Sequence, residues 1–239
     1  MVEKKYLDVV YENLGLRSGD YTHLLAEYIV KNHIKLDTNF QTKMKLLDVG
    51  AGKGIQAAVF SKYFNISTLD QHDDAKRTFK DLDINCDVQS GNLENSRFPF
   101  NDNTFDYVFT KSVIEHVKNW EHFLLEIRRI LKPNGMVIIM TPDWNSQQNN
   151  FYDDPTHIMP YTLRTLDRVL RMTNFSVTNI EKIYQLPFTW KNNFFKIIPW
   201  FIRKIPEQFK WKDKQQRNHR VLVRFSKEMM LIATAKKIN

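Results

Sequence analysis

Three glycines at alternate positions, Gly50, Gly52 and Gly54, follow the run Leu46-Leu47-Asp48-Val49. Backbone of this kind can turn sharply and approach a ligand with no Cβ in the way. The spacing narrows the ligand. A dinucleotide fingerprint runs G-x-G-x-x-G and receives a pyrophosphate at a helix N-terminus. Here the third glycine comes one residue early, and the Asp48 carboxylate would repel phosphate but suits a cation. Nicotinamide-dependent oxidoreduction is disfavoured on both counts. Asp70 lies 20 residues beyond Gly50, the reach at which an acid holds ribose hydroxyls; a strand-end cap is its competing role. Two histidines could take a proton from an attacking hydroxyl. His157 has Asp153 and Asp154 nearby to orient it, and His116 is the second choice. Ser112 and Glu115 stand at capping-box spacing, so Glu115 is expected to be structural.

These groups need a scaffold. Leu46 to Val49, Ile66 to Leu69, Cys86 to Gln89, Phe105 to Thr110 and Met136 to Met140 read as strands. Ser176 to Tyr184 and Met229 to Thr234 are two late ones. Helices are expected at Tyr21 to His33, Ile55 to Tyr63 (with Ala58, Val59 and Tyr63 inward), Asp73 to Asp81, after an Asn119 cap, and at Tyr161 to Met172 behind a Thr162 cap. Pro133-Asn134-Gly135 stop the Asn119 helix and turn the chain into the fifth strand. Alternating strands and helices predict an α/β doubly wound sheet.

The pattern of residues 45 to 183 resembles the class I S-adenosylmethionine-dependent methyltransferases. Gly50-x-Gly-x-Gly54 is similar to their motif I. Gly91-Asn92-Leu93-Glu94 with Phe98-Pro99-Phe100 and Phe105-Asp106-Tyr107-Val108 resembles G-D-x-E…P-F…F-D-x-V, with Asn92 where Asp is commoner. Lys111 to Val117 resembles the S-x-x-E-H-V segment, and Leu131 to Gly135 the L-x-P-G-G turn. Asp154-Pro155-Thr156-His157-Ile158-Met159-Pro160-Tyr161 looks like the D-x-T-H-x-x-P-[FY] loop of glycan-pathway methyltransferases. A loop ordering itself by Asp–His and Thr–backbone bonds is the bland alternative. The resemblance implies a Rossmann-like seven-stranded sheet, mostly parallel with one antiparallel late strand and helices on both faces. It implies S-adenosylmethionine as cofactor, bound by Asp48, Gly50, Gly52, Gly54, Asp70, Gln71, Asn92, Leu93 and Lys111. His157, Asp154 and His116 would be catalytic, with O-methylation of a saccharide or glycan intermediate as the reaction. Methylation of a quinone or lipid precursor, or cofactor binding without catalysis, are the alternatives. No metal is expected.

The chain of 239 residues suits one domain: a helical lid over 1–40, a cofactor-binding core over 43–184, a basic aromatic insertion over 185–225 and a final strand over 228–236. The lone Cys86 reads as a buried reduced thiol. With no signal peptide or membrane-span pattern, a cytoplasmic setting follows as an expectation. Net charge is +8, yet residues 191–239 carry 13 Lys/Arg against 3 Asp/Glu, while residues 1–190 carry 22 against 24. Charge this uneven disfavours a nucleic-acid binder. Residues 188–211 mix three Trp and five Phe with Lys and Arg. That composition fits an anionic membrane surface at the inner face, a phosphorylated or lipid-linked acceptor, or stacked single-stranded nucleic acid; the acceptor itself is expected to be a small-molecule or lipid-linked saccharide. The same composition also fits a hairpin that packs its rings on the sheet and leaves its cations solvated. Oligomeric state is left open.

Overall fold

The computed structural model describes residues 18–34, 43–213 and 219–238. A single sheet organises them. Its strands are β1 (Lys45–Val49), β2 (Asn65–Asp70), β3 (Asp87–Ser90), β4 (Phe105–Lys111), β5 (Leu131–Pro142), β6 (Phe175–Tyr184) and β7 (Met229–Lys237). The spatial order is β3-β2-β1-β4-β5-β7-β6. β1 to β5 pair in parallel, and β7 alone runs antiparallel, between β5 and β6. The order reverses between β1 and β4, and ligands bind such sheets in the crevice beyond the carboxyl ends at that point.

Successive strand residues face opposite sides, so each central strand feeds two cores. Leu47, Val49, Val137 and Ile139 pack with Phe123, Leu124, Ile127 and Ile130 of α4 (Trp120–Ile130) and Leu166 and Leu170 of α5 (Leu163–Met172). Leu46, Ile138 and Met140 pack with Leu25, Ala26 and Ile29 of α1 (Ser18–Ile29), Ala57 and Phe60 of α2 (Ile55–Phe60), and Ala75 and Phe79 of α3 (Ala75–Asp81). Both faces are thus covered, as expected. Asn119 and Thr162 cap α4 and α5 through their side chains.

Several boundaries differ from the sequence reading. α2 ends at Phe60 and buries Ala57, Ala58 and Phe60, while Val59 and Tyr63 are only half-buried. α3 starts at Ala75, after Asp74 at the N-cap, and the exposed Asp73 carboxylate lies 2.9 Å from Lys76 Nζ. Cys86 precedes β3 and is half-buried, not part of the strand. β5 begins at Leu131: the Pro133-Asn134-Gly135 turn forms an irregularity within it, with Asn134 at φ 63° and the register shifting between Phe105 and Tyr107. Of the expected N-terminal lid, residues 1–17 and 35–40 lie outside the described residues. The remainder is α1, continued by a π-helical turn over Val30–Ile34. Between β6 and β7 the insertion folds as short helices, Phe188–Lys191, Ile197–Ile202 and Val221–Lys227, with 3-10 turns between them.

Candidate functional site

β1 delivers Asp48 and the glycine turn to the crevice. Gly50, Gly52 and Gly54 sit at φ 77°, 54° and 74°, the left-handed region that disfavours side chains. A methyl at Gly50 would stand 2.0 Å from Val113 Cγ2, and one at Gly54 2.9 Å from Ala75 Cβ. The Gly50 amide donates to Leu69 O at 2.7 Å, and the Gly52 amide to Asp70 Oδ2 at 2.8 Å. Asp70, at the end of β2, therefore holds the turn.

Asp48 is buried and its Oδ2 has no hydrogen-bond partner. Burial, and then the Asp70 charge, push its carboxyl up to about 7, against the pull of Lys111. Burial lowers the Lys111 ammonium, opposed by Glu115 and Asp48. A cation placed here would meet an acid that lacks a full counter-charge. At the neighbouring strand ends, Gln71 is exposed and Leu93 buried. Asn92 Oδ1 accepts from the amides of Glu94 (2.7 Å) and Asn95 (3.0 Å), so its carbonyl serves its own turn and Nδ2 is what it offers outward.

The loop after β4 departs from its expected role. Glu115 lies in a 3-10 turn (Ile114–His116) with no side-chain cap, so the Ser112–Glu115 capping box does not form. Ser112 instead takes φ 56° and donates its amide to Met140 O. Glu115 is fully buried; Oε2 accepts from Thr141 Oγ1 at 2.9 Å, and Oε1 has no partner. Burial raises its carboxyl to about 7. Its backbone carbonyl receives the Ile158 and Met159 amides at 2.8 and 2.9 Å, which brings the distant Asp154–Tyr161 loop onto it.

Two imidazoles meet there, their centroids 4.7 Å apart. His157 Nδ1 contacts Phe151 O at 2.5 Å. A carbonyl only accepts, so Nδ1 carries the proton and the neutral ring presents a bare Nε2. Nε2 lies 4.0 Å from Asp154 Oδ2. His116 Nδ1 lies 3.2 Å from Thr156 O and 2.9 Å from Thr156 Oγ1, whose hydroxyl donates to Asp154 Oδ1 at 2.6 Å. The same reasoning places the proton of the neutral His116 ring on Nδ1. Burial, and then His157, lower the His116 pKa. The structure thus brings together all three expected catalytic residues. It adds Glu115, which the capping spacing had disguised. Donor atoms of Glu115, His116 and His157 lie within 4.8 Å of one another, the one such group of three among the described residues.

The profile of the methyltransferase domain family matches residues 21–180. The chain belongs to that family. A ubiquinone biosynthesis O-methyltransferase of Rickettsia typhi is 32% identical over 147 residues, 58% of this chain and 59% of the relative. The chain spans between 37% and 64% of the length of these curated relatives. In the complex between the Haloferax volcanii Trm112 methyltransferase activator and a methyltransferase, one chain superposes with TM-score 0.69 at 14% identity, covering 99% of this chain and 100% of that one. Phosphoethanolamine N-methyltransferase 2 of Haemonchus contortus, solved with S-adenosyl-L-methionine, gives 0.58 at 21% identity over 92% of this chain and 57% of that one. At these identities the structures establish the fold. No described helix is long and apolar enough to cross a membrane.

Proposed function

We propose that the chain methylates an acceptor hydroxyl using S-adenosylmethionine. The observation that carries this reading is Asp48, a buried acid with an unpartnered Oδ2 two residues before a turn of three left-handed glycines. That combination fits a ligand bearing a sulfonium and an ammonium but no phosphate. When bound, this cofactor supplies an electrophilic methyl group. Gly50, Gly52 and Gly54 would lie along it, Asp70 would take the ribose hydroxyls, and Asn92 and Leu93 would meet the base, with Gln71 and Lys111 flanking. His157 Nε2 takes the proton of the attacking hydroxyl. The Asp154 carboxylate stabilises the resulting imidazolium from 4.0 Å, and the Phe151 carbonyl keeps the ring in the competent tautomer. His116, packed against His157, is the second candidate.

His157→Ala is expected to lower turnover by about 10²–10⁴-fold while calorimetry finds cofactor affinity unchanged. Turnover equal to wild type would overturn the assignment. A second reading of the same cluster is favoured by its three converging donor atoms: a divalent cation on Glu115, His116 and His157 would activate the acceptor oxygen. Chelation abolishes turnover in that reading and leaves it intact in the first.

For the acceptor, the relatives named for ubiquinone biosynthesis favour a quinone or lipid precursor over the saccharide expected from the Asp154–Tyr161 loop. The polar loop itself is the ground for retaining saccharides. Product mass spectrometry with both classes separates them.

A further inference from the structure

The family match stops inside β6, leaving the basic aromatic insertion without a role. We propose that this insertion docks the carboxyl edge of the sheet onto an anionic lipid bilayer, with the rings of Phe194, Trp200 and Phe201 among the headgroups.

Its position follows from topology. β7 is antiparallel to both β5 and β6, so β6 ends at the same edge as Val49, Asp70 and Lys111. β7 starts there too, Met229 pairing with Tyr184. The insertion therefore rises from the edge that carries the glycine turn. It is also fastened to the site. Lys210 Nζ reaches Glu228 Oε1 at 2.8 Å, with both side chains 3% exposed, and Asn150 Oδ1 at 3.1 Å. Asn150 Nδ2 in turn donates to Glu228 Oε1 at 2.9 Å. The next residue, Phe151, supplies the carbonyl that holds His157.

Trp190 donates to Tyr184 O at 2.9 Å and packs at a tilt against Tyr28, 5.2 Å between centroids, while Pro199 is buried. Phe188 packs on the cluster of Tyr184, Leu186, Phe225 and Met229, while other rings stay in the open: Phe194 is 71% exposed, Trp200 51% and Phe201 56%, and Ile197 and Phe209 are exposed too. Apolar exposure on that scale marks an interaction surface. Its charge selects the occupant. Residues 188–211 carry five Lys/Arg and one acid; that acid, Glu207, faces Lys227 at 3.9 Å, and Lys210 is paired internally. Lys191, Lys196 and Lys204 remain, with Lys204 Nζ 4.1 Å over the Trp200 ring, while Arg203 Nη1 turns to Met229 Sδ. Across a two-fold axis such a face would meet its own positive charge, whereas anionic headgroups attract it and the interface accommodates aromatic rings. No described helix of the insertion exceeds the seven residues of Val221–Lys227, and Ile197–Ile202 covers six, so the element lies on a bilayer and does not cross it.

The test is flotation of the full chain with vesicles of phosphatidylcholine alone or mixed with phosphatidylglycerol, without cofactor or acceptor. Its outcome is therefore independent of the methyl-transfer reading. Binding to the anionic vesicles is expected to exceed binding to neutral ones by about tenfold or more and to weaken with salt. The triple variant Phe194→Ser, Trp200→Ser, Phe201→Ser should lose it. The charge variant Lys191→Gln, Lys196→Gln, Lys204→Gln changes no ring and should fall to the neutral-vesicle level, so a ring variant that fails to fold leaves the test intact. Four results would overturn the proposal: no flotation, equal flotation with both vesicles, wild-type binding by the charge variant, or retention by single-stranded nucleic acid alone. A dimer that the ring variant dissociates, without vesicle binding, would assign the face to a second copy instead.

Discussion

If Asp48 receives the cationic part of the cofactor, affinity must depend on its ionisation. Its carboxyl is pushed from 3.8 up to about 7 without ligand. About 9% of the protein is then ionised at this position at pH 6 and about 91% at pH 8. A ligand that binds only the carboxylate should bind about tenfold more tightly at pH 8, a difference of about 1.4 kcal/mol. At pH 7 binding should expel about half a proton, read by calorimetry in buffers of different ionisation enthalpy. Groups on the ligand and on the histidines titrate too, so the quantity to compare is the difference between wild type and Asp48→Asn. The variant should bind weakly and lose this component of the pH dependence. Stability supplies the opposite sign. An acid whose folded pKa is raised holds a proton that the unfolded chain has lost, so its contribution is full below the unfolded value and is lost as pH rises toward about 7. Asp48→Asn should therefore melt higher than wild type at pH 8, by about 1–2 kcal/mol once the buried carboxamide's own unmet hydrogen bonds are deducted. Weaker binding in a more stable protein separates a lost contact from misfolding. A flat wild-type affinity between pH 6 and 8, or full affinity in the variant, would refute the assignment.

Two further substitutions test the cradle. Gly50→Ala forces a side chain into left-handed backbone and to 2.0 Å from Val113 Cγ2; it should destabilise by about 2–4 kcal/mol in denaturant titration, and Val113→Ala in the same chain should recover part of that loss. Asp70→Asn retains an oxygen for the Gly52 amide and should melt near wild type while calorimetry shows cofactor affinity down about tenfold or more; Asp70→Ala should lose both.

What the sequence could and could not reveal follows from the range of the interactions. The glycine turn and the Asn119 and Thr162 caps depend on neighbours within a few residues, and each is where its spacing predicts. The reversed β7 follows from the family resemblance and not from any local signal. Glu115 shows the limit. Its distance from Ser112 satisfies a capping rule, but Gly50 packs on Val113 and Ser112 hydrogen-bonds Met140, so the chain enters a 3-10 turn in place of a capped helix. The partner that matters, Thr141, lies 26 residues away on β5. No window short enough to read as a cap contains it.

The same long-range packing explains why the crevice is poised for a ligand. A buried polar atom without a partner costs about 1–3 kcal/mol. Asp48 Oδ2, Thr68 Oγ1, Thr110 Oγ1, Glu115 Oε1, Asp143 Oδ1 and the Tyr161 hydroxyl all lack one, and all stand near or just beyond strand ends on one edge of the sheet. Asp143 and Tyr161 are linked by a β-bridge, and Glu115 holds the loop that leads to Tyr161. Hydrophobic burial on the two sheet faces supports that cost, because Leu46, Leu47, Ile138 and Ile139 are fully enclosed directly behind it. Relieving these atoms by substitution would stabilise the protein while removing the acids and hydroxyl that a cation and an acceptor would use. A chain selected for stability alone would have filled these positions with apolar groups. Such atoms gathered on one edge are therefore best understood as binding capacity held in reserve by the core.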